Sequence, residues 1–194
     1  MTAHPHDDVE RIDLQQWARR ADPDEQALLA GLHGPVLEVG CGPGRLVAAL
    51  AEQGTPALGI DVEPLAMDLA ATQGALMLSY SVFDRLPGEG RWPTVLLIDG
   101  NIGIGGDPLA LLRRVRELLK PGGLALVEVH GPGIASVRRR ALLEVDRGLA
   151  RLIPWAKVGV DDLHAVARQA GFSIDAVRCI GRRWFSWLRT DSFA

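Results

Sequence analysis

Four short runs in this 194-residue chain are apolar at nearly every position instead of at alternate ones: Val36–Val39, Ala57–Ile60, Pro93–Ile98 and Leu124–Val129. A strand with one wet face alternates apolar and polar residues, whereas a strand that is apolar throughout must be covered on both sides. Helical patterns separate the runs. Arg45–Glu52 carries Leu46, Val47, Leu50 and Ala51 on one face, and a second helix is expected over Pro64–Gly74. A third is capped by Asp107, starts with Pro108, carries a stripe of Leu111, Leu112, Val115, Leu118 and Leu119, and stops at Pro121-Gly122-Gly123. Such alternation implies an α/β chain, a parallel sheet with helices on both faces. Ala75–Tyr80 adds a strand, and Asp161 is expected to cap a helix that Gly171 ends. Phe172–Ile180 and Arg182–Arg189, separated only by Gly181, read as an antiparallel hairpin. The expected sheet has seven strands, six parallel and the last reversed.

Three segments stand outside this alternation. Residues 1–10 offer little to bury and are expected to be disordered. Residues 11–32 predict two helical pieces around Ala21-Asp-Pro-Asp24, with Asp22 as cap, Pro23 in the first turn and Glu25 three residues on. Residues 137–158 predict an inserted hairpin, its halves Val137–Val145 and Leu149–Val158 flanking Asp146-Arg147-Gly148. Pro154 makes its second half an edge strand or a bulged one. Residues 11–194 are thus expected to form a single domain.

The stretch Val36-Leu-Glu-Val-Gly-Cys-Gly-Pro-Gly-Arg45 joins the first strand to the first helix of the alternation. Glycines at such a turn let the backbone approach a ligand and present helix N–H groups to it. The dinucleotide pattern needs a third glycine where Arg45 stands, and Glu38 adds an acceptor that suits a cationic amine better than a pyrophosphate. Asp61 ends the next strand, 21 residues after Gly40, where a carboxylate can accept both hydroxyls of a ribose; Val62 can lie against a purine. A nucleoside without phosphates, carrying a cationic amino-acid tail, satisfies both features.

Together these residues resemble the class I S-adenosylmethionine (SAM) dependent methyltransferases. Glu38–Gly44 matches that family's E/DxGxGxG segment and Asp61 its ribose-binding acid. Leu119-Lys-Pro-Gly-Gly-Leu124 matches the segment before its fifth strand, and the final hairpin its reversed seventh strand. The resemblance runs from about residue 11 to the end. It implies a three-layer, Rossmann-like, doubly wound seven-stranded sheet whose last strand is antiparallel, here with an inserted β-hairpin. It also implies SAM as cofactor and S-adenosyl-L-homocysteine as product.

The cofactor residues so implied are Glu38, Gly40, Cys41, Gly42, Gly44, Asp61, Val62, Val82, Asp99 and Asn101. Glu38 is open to a second role as a brace for the loop, and Cys41 reads as a small loop residue. Where the family places an acid toward the adenine, this chain has Ser79-Tyr-Ser-Val-Phe-Asp84; Ser81, Asp84 or the backbone near Val82 are the candidates. Asp99 and Asn101 lie at the carboxyl end of their strand, where open α/β sheets bind ligands. Asp99-Gly-Asn-Ile-Gly-Ile-Gly-Gly106 lacks the signature of enzymes that methylate base amino groups. His130, at the equivalent end of the next strand, is the candidate catalytic base, with a hydrogen-bonded bystander as the competing role. The hairpin residues Arg138–Arg140, Leu142, Arg151, Ile153 and Trp155 are candidates for an acceptor wall.

Composition narrows the class further. With 47% hydrophobic and 23% charged residues the chain is an ordinary globular one. Its polar, acidic N-terminus and lack of a long apolar run point to a cytoplasmic protein without a membrane partner. Cys41 and Cys179 are far apart and the five histidines are scattered, so no metal site is indicated. Residues 131–194 hold 11 basic against 6 acidic residues, while residues 1–130 hold 10 against 18. That basic last third keeps an anionic or nucleic-acid acceptor open, although a small molecule fits a chain without a large appended domain better. SAM binding without transfer is the other alternative, and a nicotinamide oxidoreductase is disfavoured by Arg45 and Glu38.

Overall fold

A computed structural model describes residues 10–13, 17–146 and 149–192. Its elements are β1 (Glu10–Asp13), α1 (Pro23–Ala30), β2 (Val36–Val39), α2 (Arg45–Glu52), β3 (Ala57–Asp61), α3 (Pro64–Gln73), β4 (Met77–Ser79), β5 (Trp92–Leu97), α4 (Pro108–Leu118), β6 (Leu119–Val129), β7 (Val137–Asp146), β8 (Leu149–Lys157), α5 (Val160–Gln169), β9 (Phe172–Ile180) and β10 (Arg183–Thr190). The main sheet runs β4-β3-β2-β5-β6-β10-β9. Strand β10 is antiparallel to both β6 and β9, and the pairs among β2 to β6 are parallel. The expected seven strands with one reversed are therefore present.

The continuous apolar runs follow from burial on both faces. Val36, Leu96, Ile98 and Leu126 pack with Leu28, Leu29, Leu46 and Leu50 of α1 and α2. Their neighbours Leu37, Val39, Val95, Leu97, Val127 and Val129 point the other way, toward Leu111, Leu112, Val115 and Leu118 of α4 and Leu163 and Ala167 of α5. Successive strand residues face opposite layers, so no position is spared from the core.

Two expectations need correction. Where a helical piece was expected from residue 11, residues 10–13 form a strand that pairs in parallel with β7, Ile12 opposite Leu143, and residues 14–16 of that piece lie outside the described residues. The edge of β7 beside it takes up its backbone hydrogen bonds. Asp161 does not cap α5: Gly159 is the cap residue, and the Asp161 carboxylate instead accepts from the Gly133 amide at 2.7 Å. Asp22 does cap α1, in a reciprocal capping box with Glu25. Of residues 1–10, expected to be disordered, 1–9 lie outside the described residues and Glu10 begins β1 instead.

The inserted hairpin does not extend the main sheet. With β1 it makes a separate three-stranded sheet in the order β1-β7-β8, which leaves the proline-bearing β8 at an edge, as its sequence demands. This small sheet docks on the 3-10 segment Asn101–Gly106 that follows β5. A Cβ on Gly103 would lie 2.1 Å from the Ala156 carbonyl oxygen, and one on Gly106 would lie 3.2 Å from Pro154 Cβ. Bare backbone at these two positions is what allows the close contact.

Candidate active site

The carboxyl ends of β2, β3 and β5 open into a cavity of about 330 Å³, and the β1-β7-β8 sheet forms its other side. Its size suits a small-molecule site. Three glycines shape the loop between β2 and α2, each for a separate reason. Gly40 (φ 69°) has no room for a side chain, because a Cβ would lie 2.8 Å from Ile104 and 2.9 Å from the Asn101 amide. Gly42 (φ 50°) turns its N–H onto Asp61 Oδ2 at 2.9 Å. Gly44 (φ 79°) precedes α2 and does not line the cavity; a Cβ there would lie 2.6 Å from Ala75 Cβ, so it lets α2 approach the segment before β4.

Asp61 and Asn101 both brace this loop. Asp61 accepts from Gly42 N through one oxygen and from Glu63 N through the other, each at 2.9 Å. Burial pushes its pKa up, and these backbone hydrogen bonds oppose the rise. Asn101 Nδ2 donates to the carbonyls of Val39 at 2.9 Å and Gly40 at 2.8 Å. Cys41 lines the cavity as a buried thiol whose pKa burial pushes well above normal, which fits a packing residue. Val62 stands exposed at the rim, while Val82 is buried and held by Arg114 of α4, which donates to its carbonyl at 2.9 Å. Ser81 lines the cavity beside it, and Asp84 instead accepts from the Ser81 amide within the loop.

Behind the loop lies a cluster of charges whose connections the sequence did not disclose. Arg45 Nη2 donates to Glu25 Oε1 at 2.6 Å and to Asp99 Oδ1 at 2.9 Å. Arg183 of β10 donates to Glu25 at 2.8 Å, to Asp99 at 3.0 Å and to Glu128 at 2.6 Å, and Arg19 donates to Glu25 at 2.9 Å. Burial works against ionising Glu25, but its hydrogen bonds from Arg45 and Arg19 prevail and hold its pKa far below normal. Burial likewise opposes the charge on Arg45, and bonds to Asp99 and Glu25 restore it. Asp99 adopts a left-handed φ of 58°, unusual for a side-chain-bearing residue, and is fixed there by both arginines and by Glu128, which accepts from its amide at 2.6 Å. One signal was available: an arginine in the first turn of an apolar helix meets the positive end of the helix dipole and needs anions close by.

Glu38 belongs to the same side of the sheet but is paired with none of these cations. Its Oε2 is buried and, among the described residues, has no hydrogen-bond partner. Three arginines (Arg19, Arg45, Arg183) face three carboxylates (Glu25, Asp99, Glu128), and Glu38 would be a fourth. Burial raises its pKa to about 8, Arg45 pulls it down, and Asp99, Asp61 and Glu25 push it up. Glu38 sits behind the cavity instead of lining it.

The opposite side is apolar, built of Ile12, Trp17, Leu143, Ile153, Pro154 and Trp155. Strand β1 and Trp17 were not anticipated there. Arg151 also lines this side, whereas Arg138 turns away to Asp107 at 2.9 Å. His130 is not brought to the cavity; its backbone bridges to Val158 and Val160 at the root of the hairpin. Among the described residues no group of histidines, cysteines and carboxylates could hold a metal ion, and no helix is long and apolar enough to cross a membrane.

A strand–glycine loop–helix turn with a carboxylate at the next strand end, on the carboxyl side of such a sheet, is the arrangement with which open α/β folds bind nucleotides. Residues 14–177 match the family model described as a methyltransferase domain, and the chain belongs to that family. The ubiquinone biosynthesis O-methyltransferase of Cereibacter sphaeroides is 35% identical over 168 residues, which cover 81% of this chain and 67% of that one. A SAM-dependent methyltransferase from Bacteroides fragilis, crystallised with S-adenosyl-L-homocysteine, superposes with a TM-score of 0.75 over 93% of this chain and 82% of its own, at 23% identity. A sugar N-methyltransferase from Streptoalloteichus gives 0.69 over 98% and 97%, at 17% identity. These last two share the fold. The protein is a SAM-dependent methyltransferase. Its site chemistry fits the cofactor: an orphaned buried carboxylate behind a bare backbone turn suits a cationic tail, and Asp61 retains accepting sites for hydroxyls.

Proposed function

We propose that this enzyme methylates an oxygen atom of a small, largely apolar molecule held between the glycine loop and the β7–β8 hairpin. The observation that carries this reading is the contrast across the cavity, with Asp61 and the glycine loop on one side and Trp17, Ile153 and Trp155 on the other. The naming of the Cereibacter relative as an O-methyltransferase supports oxygen as the target.

In this reading Asp61 takes the ribose hydroxyls on the lone pairs that Gly42 and Glu63 leave over, and Val62 and Val82 lie against the base. Glu38 and Asp99 supply negative potential toward the amino-acid end, and Gly40 and Gly42 let the backbone come close. Cys41 fills the turn, Asn101 keeps it in shape, and Gly44 seats the helix behind it. SAM, when bound, supplies a methyl group on a sulfonium that is already activated. What remains for the chain is alignment: the loop fixes one partner, the hairpin wall the other, and the apolar lining limits water between them. His130, outside the cavity lining, is given no part in it.

An anionic macromolecular acceptor is less well supported. Of the basic residues in the last third, Arg138, Arg183 and Arg189 form ion pairs and Arg178 lies over Trp187. Incubation with SAM and separate panels of small hydroxylated compounds, peptides and oligonucleotides decides the matter. S-adenosylhomocysteine released only with the small compounds is the expected result; release only with a macromolecule overturns the reading.

A further inference from the structure

We infer that Glu63 and Arg151 form the polar end of the acceptor subsite and select a neutral hydroxyl over a charged group; this rests on the reading above. Glu63 occupies the cap position of α3, where Ser, Thr, Asp or Asn would bond the first-turn amides. Its side chain makes no such bond. The carboxylate, on a residue only 8% exposed, instead meets Arg151 Nη2 at 3.4 Å, and both residues line the cavity.

That contact is slack. Fully formed charge-assisted bonds in this molecule are far shorter, 2.6 Å for Arg45 to Glu25 and 2.6 Å for Arg183 to Glu128. A guanidinium and a carboxylate held loosely apart keep donor and acceptor capacity directed at the space they share. Their charges cancel, so an entering carboxylate is opposed by Glu63 and an entering ammonium by Arg151. A hydroxyl satisfies both with one oxygen, donating its proton to Glu63 and accepting from Arg151. Next to the pair stand Trp17, Ile153 and Trp155, which suit an apolar ring or chain. The other cavity arginine, Arg45, is only 2% exposed and spends its donors on Glu25 and Asp99.

Calorimetric titration of protein saturated with S-adenosylhomocysteine tests this, using 4-tert-butylphenol, its methyl ether 4-tert-butylanisole, and 4-tert-butylbenzoate. The phenol should bind at least about tenfold more tightly than either of the others, as expected for bonds to charged partners. Glu63→Gln and Arg151→Met should each cut this preference to about threefold or less, while the anisole affinity moves less than about twofold. Arg151 is largely exposed, so its replacement leaves the fold intact and keeps the test informative. Tightest binding of the benzoate, a phenol preference that survives both variants, or no binding of any probe at millimolar concentration would each overturn the assignment. Failure of S-adenosylhomocysteine to bind the wild-type chain would instead sink the underlying reading of the cavity.

Discussion

On the glycine-loop side of the cavity, ion pairs and hydrogen bonds to backbone hold each residue in one place; on the hairpin side, apolar contact does most of that work. Gly40, Gly42, Asp61, Asn101 and Asp99 are each tied by positive φ or by named bonds, with Glu25, Arg45, Arg183 and Glu128 behind them. The hairpin rests on Ile12, Ala66, Ala141, Leu143 and Trp155, and on the bare backbone of Gly103 and Gly106. Directional bonds fix positions closely and tolerate few residue types, while apolar packing accepts many combinations of about the right volume. In the function proposed above, the strictly specified surface takes the cofactor and the permissive one the acceptor.

The severest way to break this comparison is to remove a charge from the platform. Arg45→Met leaves the buried Glu25 and the part-buried Asp99 beside a lost partner, and should cost about 3–5 kcal/mol of stability. Urea unfolding with an unchanged slope and a lowered midpoint is the expected record; a midpoint within error of wild type would mean the network only decorates the loop. Gly42→Val acts on binding more than on folding, because a β-branched residue resists φ near 50° and moves the amide that Asp61 holds. Affinity for S-adenosylhomocysteine should fall at least about 100-fold, an effect of roughly 2.7 kcal/mol or more, with a smaller loss of stability.

These two positions also show how far the sequence could be read. Gly42 was legible because a positive φ next to a strand end admits almost no other residue, and Asp61 because its distance from Gly40 is set by one strand–helix–strand crossover. The apolar runs of β2, β3, β5 and β6 were legible because burial on both faces leaves few polar positions. The cluster around Arg45 was not, since its partners Glu25 and Asp99 lie 20 residues before it and 54 after it, and Arg183, which shares both carboxylates, comes from the far end of the chain. Strand β1 was missed for a related reason: it pairs with the inserted hairpin, 131 residues on at the Ile12–Leu143 pair, and no local pattern records that pairing. Nor did the position of His130 at a strand end reveal that the hairpin root, not the cavity, takes up its backbone.

The comparison is sharpened on the permissive side by Ile153→Ala. It removes part of the apolar wall without touching the platform, so the KM for a small acceptor should rise about 5- to 10-fold, in keeping with about 1–1.5 kcal/mol for the methylenes lost. Cofactor affinity should stay within about twofold; equal losses for both ligands would show that the two sides are not independent.

The smallest effect concerns Glu38. Its folded pKa of about 8 lies above its ordinary value, so the folded state holds a proton that the unfolded chain releases between about pH 4.5 and 8. Its contribution to stability is therefore fully present below pH 4.5 and is lost as pH rises toward 8. A cationic ligand bound close to its carboxyl would favour ionisation and expel that proton. Calorimetry at pH 7 in buffers of different ionisation enthalpy should find close to one proton released on S-adenosylhomocysteine binding, and none with Glu38→Gln. Equal release from both proteins would remove Glu38 from the binding event.

The reach of Arg183 has a consequence for synthesis. It bonds Glu25 across 158 residues and Glu128 across 55, so the platform beneath the glycine loop is complete only when β10 has been made. A nascent chain that already displays the loop, Asp61 and Asp99 still lacks the cation shared by three of its carboxylates, and their mutual repulsion loosens the ground on which the loop stands. The charge balance beneath the loop is therefore reached only once β10 has paired with β6 and β9.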